Sequence, residues 1–263
     1  MSADAVHLAA RDAGRGDPLI LINGYAATKD DWDPAFVAAL AERSAVIAPD
    51  NRGVGASPPA GTGLTIAAMA GDVLALMDAR GIAAADIAGW SMGGFVAQEL
   101  AARAPARVRG LVLLSTDHGG PDAVAPEPAV WQELTDHGGS PREQATRLLG
   151  LLFPAEMAAR VDAEFGDLVA QARAALPVAT LEAQEAAMAC WHAEPAAARL
   201  AAVTAPTLVA AGADDRVIPA ANARLLAAAL PGSRLELFAG GGHAFMAQEP
   251  VRLASLVSEA LGR

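Results

Sequence analysis

The stretch GWSMGG occupies residues 89–94, directly after the apolar run ADIAGW (85–90) and before the alanine-rich run FVAQELAARA (95–104). The first run reads as a strand and the second as a helix, which puts Ser91 on a strand-to-helix turn between glycines. A turn that sharp needs positive φ at its apex and neighbours without a Cβ. G-x-S-x-G in that setting is the pattern that holds a serine hydroxyl out of the backbone as a nucleophile. A serine there can also be a plain helix N-cap, so the reading depends on what the rest of the chain supplies.

Outward from this turn, short apolar runs alternate with longer amphipathic ones. Strands are expected at VHLAA (6–10), PLILI (18–22), AVIAP (45–49), DIAGW (86–90), RGLVLLS (109–115), PTLVAA (206–211) and RLELF (234–238). Helices are expected over about 30–41, 65–80, 92–104, 219–230 and 247–261. This alternation predicts an α/β fold, a mainly parallel sheet with helices on both faces. The turn residues RDAGRGDP between the first two strands predict an opening antiparallel hairpin. From Asp117 to Thr204 helix-like segments follow one another, punctuated by prolines from Pro121 to Pro195, with no convincing strand. The organisation is therefore a core of 1–117 and 204–263 interrupted by a helical cap over 118–203.

Composition narrows the function. Of 263 residues, 53% are hydrophobic and 19% charged, enough apolar surface for one sizeable core. The net charge of −11 opposes binding to phosphate backbones or anionic lipid, so neither nucleic acid nor membrane is an expected partner. The N-terminus lacks a basic start followed by an apolar core, and no run approaches the roughly 18 apolar residues of a membrane span. A cytoplasmic setting is expected. The single cysteine, Cys190, excludes an internal disulfide framework and reads as a small buried apolar residue.

If Ser91 is a nucleophile it needs a base to take its proton and a carboxylate to orient that base. PTLVAAGADDRVIP places Asp214 and Asp215 just past a strand, and RLELFAGGGHAF places His243 just past the next. Loops at the carboxyl ends of parallel strands are where such folds bind ligands. Asp117, ending LVLLSTD, is a second candidate acid. The remaining histidines, His7, His118, His137 and His192, lack metal-ligand spacing, and no dinucleotide or phosphate-loop fingerprint is present. No metal and no cofactor is expected.

The order Ser91, Asp215, His243 resembles that of the α/β-hydrolase superfamily, within it the small serine carboxylesterases, lactonases and cofactor-free haloperoxidase-like enzymes. Five stretches carry the resemblance: LILINGYAATKDDW, APDNRGVGASPP, IAGWSMGGFVAQELAARAPARVRGLVLLS, GADDRVIP and GGGHAFMAQEP. It implies Asp215, four residues before Pro219, as the acid, with Asp214 a solvated neighbour. It also implies an oxyanion site made by the backbone N–H groups of Met92 and Tyr25. Where the family has His-Gly this chain has Asn23-Gly24, a change that shapes the loop without removing the backbone donor. Asp50, Arg52, Gly53 and Gly55 are expected to form a supporting turn, with steering of an anionic substrate by Arg52 as the alternative.

The resemblance also implies a pocket between cap and sheet. Trp90, Gly24 and Phe245 are expected to touch substrate because they neighbour Ser91, Tyr25 and His243, and Trp131, Phe153 and Trp191 because they are apolar cap residues, with Leu152, Met157 and Met188 as further candidates. The expected substrate is a small, mostly apolar ester or lactone, with perhydrolysis to peracids as a side activity. C–C bond hydrolysis of a vinylogous diketone is the enzymatic alternative. A ligand receptor or signalling protein of the same fold, turning over slowly, is the non-catalytic one. Epoxide hydrolases and haloalkane dehalogenases carry aspartate where this chain has Ser91.

Overall fold

The computed structural model describes residues 7–61 and 63–263. Seven strands form one sheet: β1 (Ala10–Ala13), β2 (Asp17–Ile22), β3 (Ser44–Pro49), β4 (Ala85–Trp90), β5 (Val108–Leu114), β6 (Thr207–Gly212) and β7 (Arg234–Phe238). Their order is β1-β3-β2-β4-β5-β6-β7. Every neighbouring pair is parallel except β1 with β3.

Side chains alternate across the strands, and both faces are apolar, as a buried parallel sheet requires. Leu19 and Leu21 of β2 point into a core closed by α1 (Pro34–Ala41) and α10 (Pro250–Ala260), where Phe36, Leu253 and Val257 are fully buried. Ile20 and Ile22 point the other way, into a core closed by α2 (Ile66–Ala79), α3 (Met92–Arg103) and the later α9 (Ala221–Ala229). α1 starts only at Pro34, because Asp33 accepts the N–H groups of Ala35 and Phe36 as an N-cap and so ends the loop expected to be helical from 30.

The opening of the chain differs from expectation. Among the described residues the first strand is Ala10–Ala13, where one ending at Ala10 was expected, and it pairs with β3 rather than forming a hairpin with β2. Val6 lies outside the described residues. Gly14 and Gly16 take φ of 71° and 114°, and a Cβ on Gly14 would strike the carbonyls of Ala41 and Ser44. The turn is thus wedged against the α1–β3 connection, which sets β1 beside β3.

Between β5 and β6, among the described residues, come helices alone: α4 (Pro128–Leu134), α5 (Pro141–Leu152), α6 (Ala155–Ala174), α7 (Val178–Ala193) and α8 (Ala197–Ala201). Prolines open them, at the first helical position of α4 and α5, where the missing N–H costs nothing. Ser140 and Glu143 close a reciprocal capping box on α5. α7 buries Leu181, Gln184, Ala187, Met188 and Trp191. Cys190 falls off that face and is exposed, against its reading as a buried residue. No described helix is long and apolar enough to cross a membrane.

Strand order sets the position of the site. From β2 the chain crosses to β3 on one side and then returns to β4 on the other, so the carboxyl ends of β2 and β4 flank a topological switch point. The loops that leave those two ends begin with Asn23 and Ser91.

Candidate active site

Ser91 has φ 55° and ψ −123°, a conformation that a side chain adopts only under constraint. The constraint is visible on every side. Its N–H donates to Leu114 O at 2.9 Å, and its carbonyl accepts Gly94 N–H and Thr116 Oγ1, both at 2.8 Å. The flanking glycines permit the close approach: a Cβ on Gly89 would collide with the backbone of Gly93 and Gly94, and one on Gly93 with the carbonyls of Ile22 and Asn23. The start of α3 is thereby pressed against the end of β2. Ser91 caps no N–H of the helix, which removes the N-cap reading.

Asp215 and His243 come together by sheet register. β6 and β7 are adjacent, with Gly212 paired to Phe238, and the loops that follow carry the two side chains to contact. His243 Nδ1 lies 2.8 Å from Asp215 Oδ2, both side chains almost fully buried. Asp215 Oδ1 accepts the N–H groups of Val217 and Ile218, each at 2.9 Å, so the carboxylate is fixed in orientation. The His243 carbonyl accepts Trp90 Nε1–H at 3.0 Å, and the indole lies 5.3 Å from the imidazole, centroid to centroid. Nε2 is the ring nitrogen left free of these contacts. Asp214 is exposed.

The loop after β2 is held just as closely. A Cβ on Gly24 would sit 3.1 Å from that of Ser91. Asn23 Nδ2 donates to Thr28 O within the loop, and Asn51 Nδ2 donates to Asn23 O at 2.9 Å. The Met92 N–H is the first of α3 and has no acceptor inside the helix. Lys29 and the Ala56 N–H bind the Asp50 carboxylate, and Arg52 forks onto the buried Asp72. Arg52 is thus committed to the core of the turn rather than to a ligand.

A cavity of about 500 Å³ opens on Ser91, walled by Tyr25, Phe95, the 120–128 segment, Trp131, Leu134, Met188, Ala189, Val217 and Ile218, with Asp117 and His192. Tyr25 donates its hydroxyl to Glu185, and burial, then that contact, pushes the phenol far above its usual range, so it stays neutral. Of the expected substrate contacts, Trp131 and Met188 line this cavity. Trp90, Phe153, Trp191, Phe245 and Gly24 do not. Trp90 is buried between Trp32 and His243, and Phe245 packs 4.7 Å from Phe238. Trp191 is stacked between Phe95 and the Arg199 guanidinium, and the Phe153 backbone abuts Gly242.

Asp117 does not reach His243. It accepts Gly119 N–H at 2.7 Å and faces His192 Nε2 at 3.1 Å. Sequence reasoning misses His192, although it stands four residues after Met188 and so on the same face of one helix, a spacing that places both on the cavity. Val217 and Ile218 were equally near at hand, two and three residues beyond Asp215. Among the described residues, no group of three or more His, Cys, Asp or Glu side chains is arranged to hold a metal ion.

Residues 17–250 match the family model described as the alpha/beta hydrolase fold. The RutD protein of Variovorax paradoxus, named for carbamate hydrolysis, is 32% identical over 259 residues, 93% of this chain and 91% of its own. A hydrolase structure from Pseudomonas aeruginosa superposes with a TM-score of 0.85 at 30% identity, covering 100% of this chain and 97% of that one. The enol-lactonase of Burkholderia xenovorans does so at 0.85 and 25% identity, over 100% and 99%. The chain belongs to the α/β-hydrolase family.

Proposed function

We propose that this α/β-hydrolase is a serine hydrolase that cleaves a carboxylic ester or lactone of a small, mostly apolar substrate through an acyl-enzyme on Ser91. One arrangement carries the reading: a buried Asp215–His243 pair at 2.8 Å, on the same carboxyl edge of the sheet as a serine held at positive φ over an apolar cavity. In this mechanism His243 Nε2 takes the Ser91 proton as Oγ attacks the acyl carbon. The tetrahedral oxyanion is held by the Met92 and Tyr25 N–H groups, a preorganised pair worth about 2.7–4 kcal/mol of barrier per donor. Collapse returns the proton to the departing alkoxide, which in a lactone stays tethered. Water then attacks the acyl-enzyme through the same histidine, while Asp215 holds Nδ1–H and stabilises the imidazolium.

The cavity supports the substrate class. Its volume suits a small ligand, and no lysine or arginine lines it. We read residues 118–203 as a cap on a core of 1–117 and 204–263, since α4 and α7 supply cavity wall. The test is intact mass and peptide mapping after a fluorophosphonate, beside turnover of p-nitrophenyl acetate and butyrate. A single adduct on Ser91, absent in Ser91→Ala, with burst kinetics is expected. No adduct and no turnover overturns the reading; slow single turnover with retained product favours a ligand receptor instead.

A further inference from the structure

The cavity wall carries an acid–base pair that the mechanism above leaves unused. Asp117, just past β5, and His192, in the last turn of α7, both line the cavity that Ser91 opens on. His192 Nδ1 lies 2.8 Å from the Met188 carbonyl oxygen and Nε2 lies 3.1 Å from Asp117 Oδ2. Both ring nitrogens therefore face acceptors. A neutral imidazole has one N–H. The Met188 carbonyl and an ionised Asp117 both only accept, so on a neutral ring one of the two nitrogens would confront an oxygen with its bare lone pair. Both contacts are hydrogen bonds at once only when a second proton is shared at this pair.

We propose that His192 is a positioning residue for the substrate pocket: the proton it shares with Asp117 pins α7 to the end of β5, and losing that proton loosens the wall that α7 carries. Met188 and Ala189, one turn before His192, are that wall. The other ties of α7 to the core are Thr180 Oγ1 to Gly53 O at 3.2 Å, Gln184 to the Ala26 N–H at 2.9 Å and Glu185 to the Tyr25 hydroxyl. These polar ties lie about two or more turns before His192, so near the C-terminal end of the wall the polar tie is the Asp117 contact, beside the Trp191 ring stacked on Phe95.

The surroundings set the direction of the response. Burial pulls the His192 imidazole down, while the hydrogen bond and charge of Asp117 and the Met188 carbonyl raise it, against Arg199 of α8. The net result lies above the ordinary histidine value of 6.5. Phe95 of α3 meets the ring edge-on at 5.4 Å, and Glu99 and Glu194 act on Arg199. For a group raised on folding, the stabilisation is complete below 6.5 and is lost as pH rises through the folded value. The pin therefore fails on the alkaline side. His137, 2.9 Å from Glu185, is a second histidine bonded to α7 and provides the comparison.

The kinetic readout rests on the serine-hydrolase reading; the spectroscopic one does not. With p-nitrophenyl butyrate from pH 6 to 9.5, KM should rise at least about threefold through the His192 titration, the low end for a partly exposed charge-assisted hydrogen bond. That step should be absent from kcat. His192→Gln, whose amide can donate to Asp117 without titrating, should flatten KM against pH, and His137→Gln should not. Ring NMR, assigned by loss of a signal in His192→Gln, should show both nitrogens protonated at pH 6 and titration above 6.5, with faster exchange of α7 amides at pH 9. Persistence of the KM rise in His192→Gln, its loss in His137→Gln, or a His192 ring titrating at or below 6.5 would overturn the proposal. If fluorophosphonate leaves Ser91 unlabelled, the hydrolase reading fails, and ring titration with amide exchange still decides this one.

Discussion

Replacing Asp215 by asparagine tests the proposed site most sharply, because the structure dictates how the amide must sit. Oδ1 of Asp215 accepts two backbone N–H groups, from Val217 and Ile218. Only an oxygen can stay there, so the new NH2 is forced to the position of Oδ2, which faces His243 Nδ1 at 2.8 Å. Nδ1 must then accept, its hydrogen moves to Nε2, and the lone pair that should take the Ser91 proton is gone. A serine hydrolase with this tautomer defect loses about ten-thousandfold in kcat, about 5.4 kcal/mol at 1.36 kcal/mol per tenfold. The fold should persist, since shape and the two backbone contacts are kept. Asp117→Asn, which leaves the Asp215–His243 pair untouched, should change kcat by less than about tenfold. The assay is p-nitrophenyl butyrate hydrolysis with a thermal melt for each variant. Loss in Asp117→Asn equal to that in Asp215→Asn, or more than a tenth of wild-type kcat left in Asp215→Asn, would refute the reasoning.

Gly89→Ala should be destabilising, since its Cβ meets the backbone of Gly93 and Gly94 rather than a movable side chain. Overpacking of this kind costs about 1–3 kcal/mol, or roughly 3–9 °C in Tm for a chain of this size, and calorimetry checks it. Tyr25→Phe should leave kcat within about threefold, because the donor proposed there is backbone, while the lost bond to Glu185 lowers stability by about 1 kcal/mol. Trp131→Ala removes cavity wall and should raise KM for the butyrate several-fold, about 1 kcal/mol, with less effect on the acetate; equal effects on both would remove Trp131 from the acyl pocket.

Most of the sheet was legible because each strand between Pro18 and Phe238 is a short apolar run bounded by turn residues, a signal local to the run. The first strand was not. VHLAA has the right composition, but pairing is decided by where Gly14 and Gly16 turn the chain, and that turn leans on residues 41–44, far away in sequence. The same division separates the parts of the site. Ser91 was readable from its neighbours alone, since the glycines that permit its φ are beside it. The cavity was not, because adjacency in sequence is a poor guide to which side of a backbone faces a ligand. Trp90 and Phe245 flank Ser91 and His243 by one and two residues, yet both point into the core beneath the sheet edge, where Trp90 supports the imidazole instead.

The two candidate acids show which missing fact mattered. Asp117 and Asp215 each follow a parallel strand and each stand at its carboxyl end, so type and local setting do not separate them. Strand order does. His243 follows β7, whose neighbour is β6, and β5 lies one strand further on. Strands are about 4.8 Å apart, so a carboxylate leaving β6 has one spacing to span and one leaving β5 has two, roughly 10 Å. A carboxylate buried at the end of β5 must still be paired, and the partner within reach is whatever the helices between β5 and β6 lay over it. That partner is His192, held by α7 at 3.1 Å. The acid that faces His192 rather than His243 is left free to tie down the pocket wall.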